Sequence, residues 1–211
     1  MTELAIHAAD RDIANELCEQ VRSAYHDRTP LRIVAGNTRA FYGRPVEGTE
    51  LNVAAHSGIV SYDPIELVVT VRAGTRLSAL NAALAEKHQM LPFEPPIFGD
   101  ASTIGGAVAT GMSGPRRPWA GAARDFVLGT RVITQEGKLL RFGGEVMKNV
   151  AGYDLSRMMA GAQGTLGVLA DISFKVLPIP TASHSLRLEM SLQDALAKLS
   201  ELGRQPLPIT A

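Results

Sequence analysis

At 211 residues with 45% apolar side chains, the chain is long enough for one large domain or two small ones around a real core. Its 21 basic and 21 acidic residues cancel, with no basic stripe, which removes the electrostatic basis for nucleic-acid binding. Cys18 is the only cysteine, so an internal disulfide, a CxxC pair and a self-contained thiolate metal or iron–sulfur site are excluded. The opening MTELAIHAADRD is charged too early for a signal peptide. The longest uncharged run, residues 101–115, is too short and glycine-rich for a membrane span, so a cytoplasmic location is expected, with membrane attachment only through partners.

From Asp10 to about Tyr25, Ile13, Leu17, Val21 and Tyr25 recur every four positions with Ala14 and Cys18 alongside, which predicts an amphipathic helix with Cys18 as a small core residue. After Pro30 the run LRIVA predicts a buried strand leading into Gly36-Asn37-Thr38-Arg39. A strand followed by a small polar loop is either a nest of outward amides for an anion or an ordinary turn. The Lys-Ser/Thr of a P-loop is missing, as is any G-x-G-x-x-G, so nucleoside triphosphate hydrolysis and the usual nicotinamide fold are not expected.

LVVTV at 67–71 predicts a second strand. Ala73-Gly74-Thr75 then turns the chain into a helix from about Arg76 to His88, with Thr75 as N-cap and Leu77, Leu80 and Leu84 as its buried stripe. His88 reads as a surface residue near the helix end. LPFEPPIFGD, with three prolines, should be extended and rigid.

It delivers the chain into residues 99–167, which hold 14 of the 20 glycines. Around them lie small uncharged residues such as Ala101, Ser102, Thr103, Ala107, Ala109, Thr110 and Ser113, a mixture that suits a flat phosphate-bearing ligand against bare backbone. Ser102 or Thr103 should cap a short helix from Ile104-Gly105-Gly106, whose N-terminal amides would suit a pyrophosphate. Amides outweigh the macrodipole in that role, because a hydrogen bond to a charged group contributes about 1.5–3 kcal/mol and the dipole only about 0.3–1 kcal/mol. The competing explanation for Gly105 and Gly106 is close helix-to-sheet packing.

Arg116, Arg117 and Arg124 around Trp119 could meet a phosphate, a substrate carboxylate or only solvent. FVLGTRVIT, Gln135-Glu136-Gly137-Lys138 and LLRF predict a hairpin, and Val168 to Val176 alternates as a strand with one apolar face. Pro178 and Pro180 close that unit. SLRLEM, then a helix with Leu192, Leu196 and Leu199 ended by Gly203, predicts the opening strand and helix of another layer.

Chemistry-bearing side chains are sparse. Ser113 in GMSGP is not a nucleophile elbow, and His7, His26, His56, His88 and His184 show no metal-ligand spacing, so neither a catalytic group nor a metal site is assigned. A backbone-lined site of this kind fits an enzyme whose cofactor carries the reaction.

Four segments, LRIVAGNTRAFYGR (31–44), GIVSYDPIELVVTVRAGTRLSAL (58–80), PPIFGDASTIGGAVATGMSGPRRPWAGAARDFVLG (95–129) and GGEVMKNVAGYDLSRMMAGAQGTLGV (143–168), resemble the FAD-binding domain of the p-cresol methylhydroxylase / vanillyl-alcohol oxidase (PCMH-type) superfamily. Within it they are most similar to the FAD-binding subunits of bacterial glycolate oxidases. The resemblance implies an α+β fold of two subdomains, a small one with parallel strands and a larger, mainly antiparallel one, over residues 1–178, with the start of a substrate cap over 179–211.

By position, it implies that Ala35, Gly36, Asn37, Thr38 and Arg39 bind the pyrophosphate of FAD. Pro96, Ser102, Thr103, Ile104, Gly105, Gly106, Thr110, Gly111, Ser113 and Gly114 would line the pyrophosphate and flavin, and Gly164, Gly167 and Val168 would complete the pocket. The first loop departs from the usual Arg-Gly-Gly-Gly-Thr-Ser at Val34, Ala35 and Asn37, although Asn37 still tolerates a left-handed conformation. No histidine lies in that loop or near Arg117–Gly121, so FAD is expected to be held without a covalent link. Lys148 reads as an anchor of its hairpin, or as positive charge near a reduced flavin, and Asp154 as a helix N-cap.

The implied reaction is hydride removal from C2 of a 2-hydroxy acid to flavin N5. Substrate-binding and proton-accepting residues would come from a cap beyond residue 211, and electrons would pass to an iron–sulfur subunit in a complex with a second flavin subunit. The alternatives are an FAD- or partner-binding subunit without turnover of its own, and a D-lactate-type dehydrogenase.

Overall fold

The structure, a computed structural model, describes residues 10–144, 153–207 and 209–210, so Lys148 lies outside the described residues. The first apolar stripe forms α1 (Ala14–His26), which buries Ala14, Leu17, Cys18 and Val21 and leaves Tyr25 exposed. Burial raises the Cys18 thiol pKa, as befits a packed, unreactive residue. LRIV becomes β1 (Leu31–Val34), which pairs in parallel with β2 (Thr49–Asn52), Leu31 opposite Thr49.

A hairpin follows, β3 (Ile59–Asp63) and β4 (Val68–Arg72), then α2 (Leu77–Ala85) with Leu77, Leu80 and Leu84 fully buried. Thr75 does not cap α2. Its hydroxyl accepts from the Gly58 amide at 2.8 Å and so ties the start of α2 to the beginning of β3 instead. His88, past the helix end, is exposed.

Beyond the short strand β5 (Gln89–Met90) come α3 (Ile104–Thr110), α4 (Arg117–Ala120) and α5 (Ala123–Phe126). The predicted hairpin is β6 (Val127–Ile133) with β7 (Leu139–Gly143). After α6 (Leu155–Met158) the chain enters β8 (Val168–Lys175), and β9 (Leu177–Pro178) returns to pair with β5.

The main sheet runs β3-β4-β8-β6-β7 with every neighbour antiparallel, so β8 is its central strand. That position corrects the one-faced reading of β8, because Leu169, Asp171 and Ser173 are buried as well as their neighbours. Pairing with β6 passes from Arg131–Asp171 to Val132–Leu169 and skips Ala170. Around this bulge the alternation changes phase. Val168 and Ala170 pack in one cluster with Leu17 and Val21 of α1, while Leu169, Ile172 and Phe174 pack in the other with Leu80, Phe93 and Ile104.

SLRLEM is not a strand: residues 183–190 have no regular structure and no sheet neighbour. The helix after it forms as expected, α7 (Leu192–Leu202), capped by the Ser191 side chain, with Leu192, Leu196 and Leu199 exposed. No helix among the described residues is long and apolar enough to cross a membrane.

His56, unremarkable in the sequence, is fully buried and fastens three elements. Its Nδ1 accepts from the Ile13 amide at 3.2 Å, which leaves Nε2–H to donate to Asp171 Oδ1 at 3.1 Å, while Arg131 Nε donates to Asp171 Oδ2. Burial pushes the Asp171 carboxyl up, but hydrogen bonds from His56 and Arg131, with the charge of Arg131, outweigh it and hold the group below its usual 3.8. A carboxylate depressed in this way stabilises the fold fully above its unfolded pKa, and that stabilisation is lost as pH falls through the lower folded value. Asp171→Asn should therefore cost about 3 kcal/mol near neutral pH. The thermal midpoint should drop by roughly 6–12 °C, with a gap to wild type that narrows in thermal scans taken progressively below pH 4.

Candidate functional site

A cleft of about 410 Å³ opens between the parallel pair and the antiparallel layer, walled by the loop after β1, one face of α3 and the segment before β8. The first wall exists because Gly36 lacks a side chain. A Cβ there would overlap the Ala101 carbonyl oxygen, so the loop lies with its main chain against residues 99–102. Thr38 Oγ1 and Ser102 Oγ share a hydrogen bond of 3.0 Å, and Ser102 Oγ accepts from the Phe98 amide at 3.0 Å. Asn37 adopts φ 51°, the left-handed conformation the sequence allows it. Among the described residues no hydrogen bond engages the amides of Gly36, Asn37, Thr38 or Arg39, which leaves four donors at the cleft wall.

The start of α3 behaves differently from expectation. Thr103 caps the helix, its hydroxyl accepting from the Gly106 amide at 3.2 Å. The amides expected to receive phosphate already have protein acceptors: Ile104 N–H donates to the Thr75 carbonyl at 2.9 Å and Gly105 N–H to the Ala73 carbonyl at 2.8 Å. Gly105 is a packing residue, since a Cβ would stand 2.6 Å from Ala73 Cβ. Gly106, Ala109 and Thr110, at i, i+3 and i+4, turn the small-residue face of α3 to the cleft. Free donors for an anion are therefore offered by the loop after β1 and not by the helix N-terminus.

Of the residues singled out in the sequence, Ala35, Gly36, Asn37, Thr38, Arg39, Thr103, Gly105, Gly106, Thr110, Gly164 and Gly167 line this cleft together. Ser102 and Ile104 are buried behind it. Pro96 contributes its carbonyl, which accepts from Arg39 Nη2 at 2.6 Å. Gly111 ends α3, Ser113 Oγ accepts from the Ala123 amide at 2.9 Å, Gly114 N–H donates to the Phe93 carbonyl at 2.8 Å, and Val168 sits in the α1 core. None of these last four lines the cleft.

Met159, Gln163 and Tyr42 do line it, and the sequence reading missed them. Their signal was positional, since each falls inside a segment that carried the family resemblance. Asp154 is the expected N-cap of α6, accepting from the Arg157 amide at 3.1 Å. Near Trp119, Arg116 pairs with Glu94 at 3.8 Å and Arg124 with Asp125 at 3.9 Å. No histidine, acid, lysine or cysteine lines the cleft among the described residues, and none of them form a metal-binding group.

The arrangement can hold an anionic, flat ligand through main-chain donors. A dinucleotide fits it on two observations, the unengaged amides of residues 36–39 and the buried Arg39 Nε, which has no acceptor.

Comparisons with known proteins agree with this geometry. Residues 12–143 match the family model described as an FAD binding domain. The chain is 60% identical to glycolate oxidase subunit GlcE of Escherichia coli, covering 94% of this chain and 57% of the relative. It is 33% identical to a D-lactate dehydrogenase of Anaerostipes hadrus, covering 73% of this chain and 32% of that one. The chain thus spans from just under a third to a little over half of these relatives' lengths. In fold it is similar to alkyldihydroxyacetonephosphate synthase, with a TM-score of 0.64 over 79% of this chain and 30% of that one at 22% identity.

Gly36 and Gly106 should respond differently to the same change. Gly36→Ala forces a methyl into main chain and should destabilise the protein by about 3 kcal/mol or more. Gly106→Ala meets only Thr103 Oγ1 at 3.3 Å and Arg39 Nη1 at 3.5 Å, and should leave the thermal midpoint near wild type. Thermal unfolding of the two variants side by side measures the difference.

Proposed function

The chain belongs to the FAD-binding domain family, and on that premise we propose that it is the flavin-holding part of a 2-hydroxy-acid oxidoreductase of the glycolate oxidase kind. The observation that carries this reading is the 60% identity to a glycolate oxidase subunit over 94% of the chain. FAD, when bound, supplies the two-electron acceptor that no side chain of the cleft provides. The chain's own residues do the holding. The open amides of residues 36–39 face the diphosphate, the bare face of α3 at Gly106 and Ala109 admits the ligand closely, and Gly164 and Gly167 complete the far wall. Thr110, Gly164 and Gly167, which line the cleft, frame the flavin end, and no covalent link is formed.

In this reading residues 1–178 are the FAD-binding unit and residues 179–211 begin a cap over the substrate, to which the exposed leucines of α7 belong. The proton acceptor for glycolate comes from that cap. Electrons leave through partner subunits, one of them carrying iron–sulfur clusters and another a second flavin, and any membrane attachment is theirs.

A second reading, flavin or partner binding without turnover, is favoured by one observation: no histidine, carboxylate, lysine or cysteine lines the cleft among the described residues. Purified chain titrated with FAD, then given glycolate and an artificial electron acceptor, separates the two. Flavin absorption shifted by the protein and released on denaturation is the expected result under either reading, and glycolate-dependent dye reduction establishes the first. Flavin binding without dye reduction supports the second reading, and failure to bind FAD overturns the first and the flavin-binding form of the second. D-Lactate in place of glycolate, giving the faster reduction, would reassign the substrate.

A further inference from the structure

Parallel neighbours in a sheet need a long crossover, ordinarily a helix, yet residues 35–48 join β1 to β2 with no helix or strand among them. Irregular loops of that length are uncommon in compact domains unless they bind or cover something. The near end of this one is fastened. Phe41 meets Phe98 edge-on with ring centres 5.1 Å apart, and the Tyr42 amide donates to the Arg39 carbonyl at 3.0 Å. The far end is fixed by the Thr49 amide, which donates to the Pro30 carbonyl at 2.9 Å.

Between those anchors residues 43–48 are all exposed, and among the described residues no hydrogen bond or ion pair engages them. A stretch without such ties opens at little cost. It begins and ends on glycines of positive φ, Gly43 at 94° and Gly48 at 149°, positions able to absorb a large change in backbone angle. Its middle, Arg44, Pro45 and Val46, nevertheless lines the cleft.

Gln163 approaches from the facing wall. Its amide donates to the Ala109 carbonyl of α3 at 2.8 Å, and its side chain lies over Gly43, where a Cβ would stand 2.5 Å from Oε1. A single side chain thus spans from the segment before β8 to the first glycine of the untied stretch.

We propose that residues 43–48 are a flap over the dinucleotide cleft, hinged at Gly43 and Gly48, that swings aside to admit or release the cofactor, with Gln163 as its catch. This concerns the regulation of the cleft and rests on the flavin reading. A flap crossed in both directions slows entry and exit together. It sets how long the cofactor stays more than how tightly it is held.

The test uses the 211-residue chain, its Gln163→Ala variant and its Gly43→Ala variant, whose methyl displaces the Gln163 carboxamide. Stopped-flow flavin fluorescence follows FAD association at rising concentration and dissociation after rapid dilution. In wild type the association rate should level off, because opening and not encounter limits it. Both variants should raise that plateau and the dissociation rate by about five- to twentyfold, with Kd changed by less than about threefold. Faster dissociation with unchanged association would make Gln163 a plain ligand contact and overturn the flap. Rates unchanged in both variants, or a wild-type rate that stays proportional to FAD concentration, would overturn it too, and each of these results leaves the flavin reading standing. Wild type that binds no FAD removes the flavin reading itself, and the flap's role with it.

Discussion

Main chain lying directly on main chain, at Gly36 against Ala101, is the contact from which the cleft takes its shape. It brings the loop after β1 onto the segment ahead of α3, and the Thr38–Ser102 and Arg39–Pro96 hydrogen bonds then fix the two at one separation. Gly105 on Ala73 repeats the device between α3 and β4. The cleft is the space left over once these fastenings are made. The His56–Asp171–Arg131 cluster fastens the start of α1 to β8 and β6 by hydrogen bonds instead of close approach.

Glycine abundance between residues 99 and 167 was a sound pointer to a site, but it served two purposes that a sequence cannot separate. Gly105 and Gly114 permit the protein's own chains to touch, whereas Gly106 lies against side-chain atoms at the cleft, Thr103 Oγ1 and Arg39 Nη1. Which of the two applies depends on what stands opposite, and that is a property of the fold. Hydrogen-bond partners were hidden for the same reason. Thr75 has the local pattern of a helix cap, yet Gly58, brought near by the β3–β4 hairpin, takes its hydroxyl.

Periodicity was read most reliably where one face meets solvent, as in α1, and least where both faces are covered. β8 alternates in sequence, but its central position buries both sides and its bulge at Ala170 exchanges them. SLRLEM has strand propensity without a neighbour to hydrogen-bond, and so remains irregular. Among polar residues, Asn37 was legible because its backbone preference is intrinsic, and His56 was not, because its partners Ile13 and Asp171 are distant in sequence.

The placement of β8 in the middle of the sheet has a consequence for how the chain matures during synthesis. Val68 waits for Lys175 and Arg131 for Asp171, so two hairpins emerge from the ribosome each with one edge bare. Closure comes only when a strand about a hundred residues downstream of β4 slides between them. Until then the nascent protein depends on chaperones, or on speed, to keep those edges from pairing with another molecule.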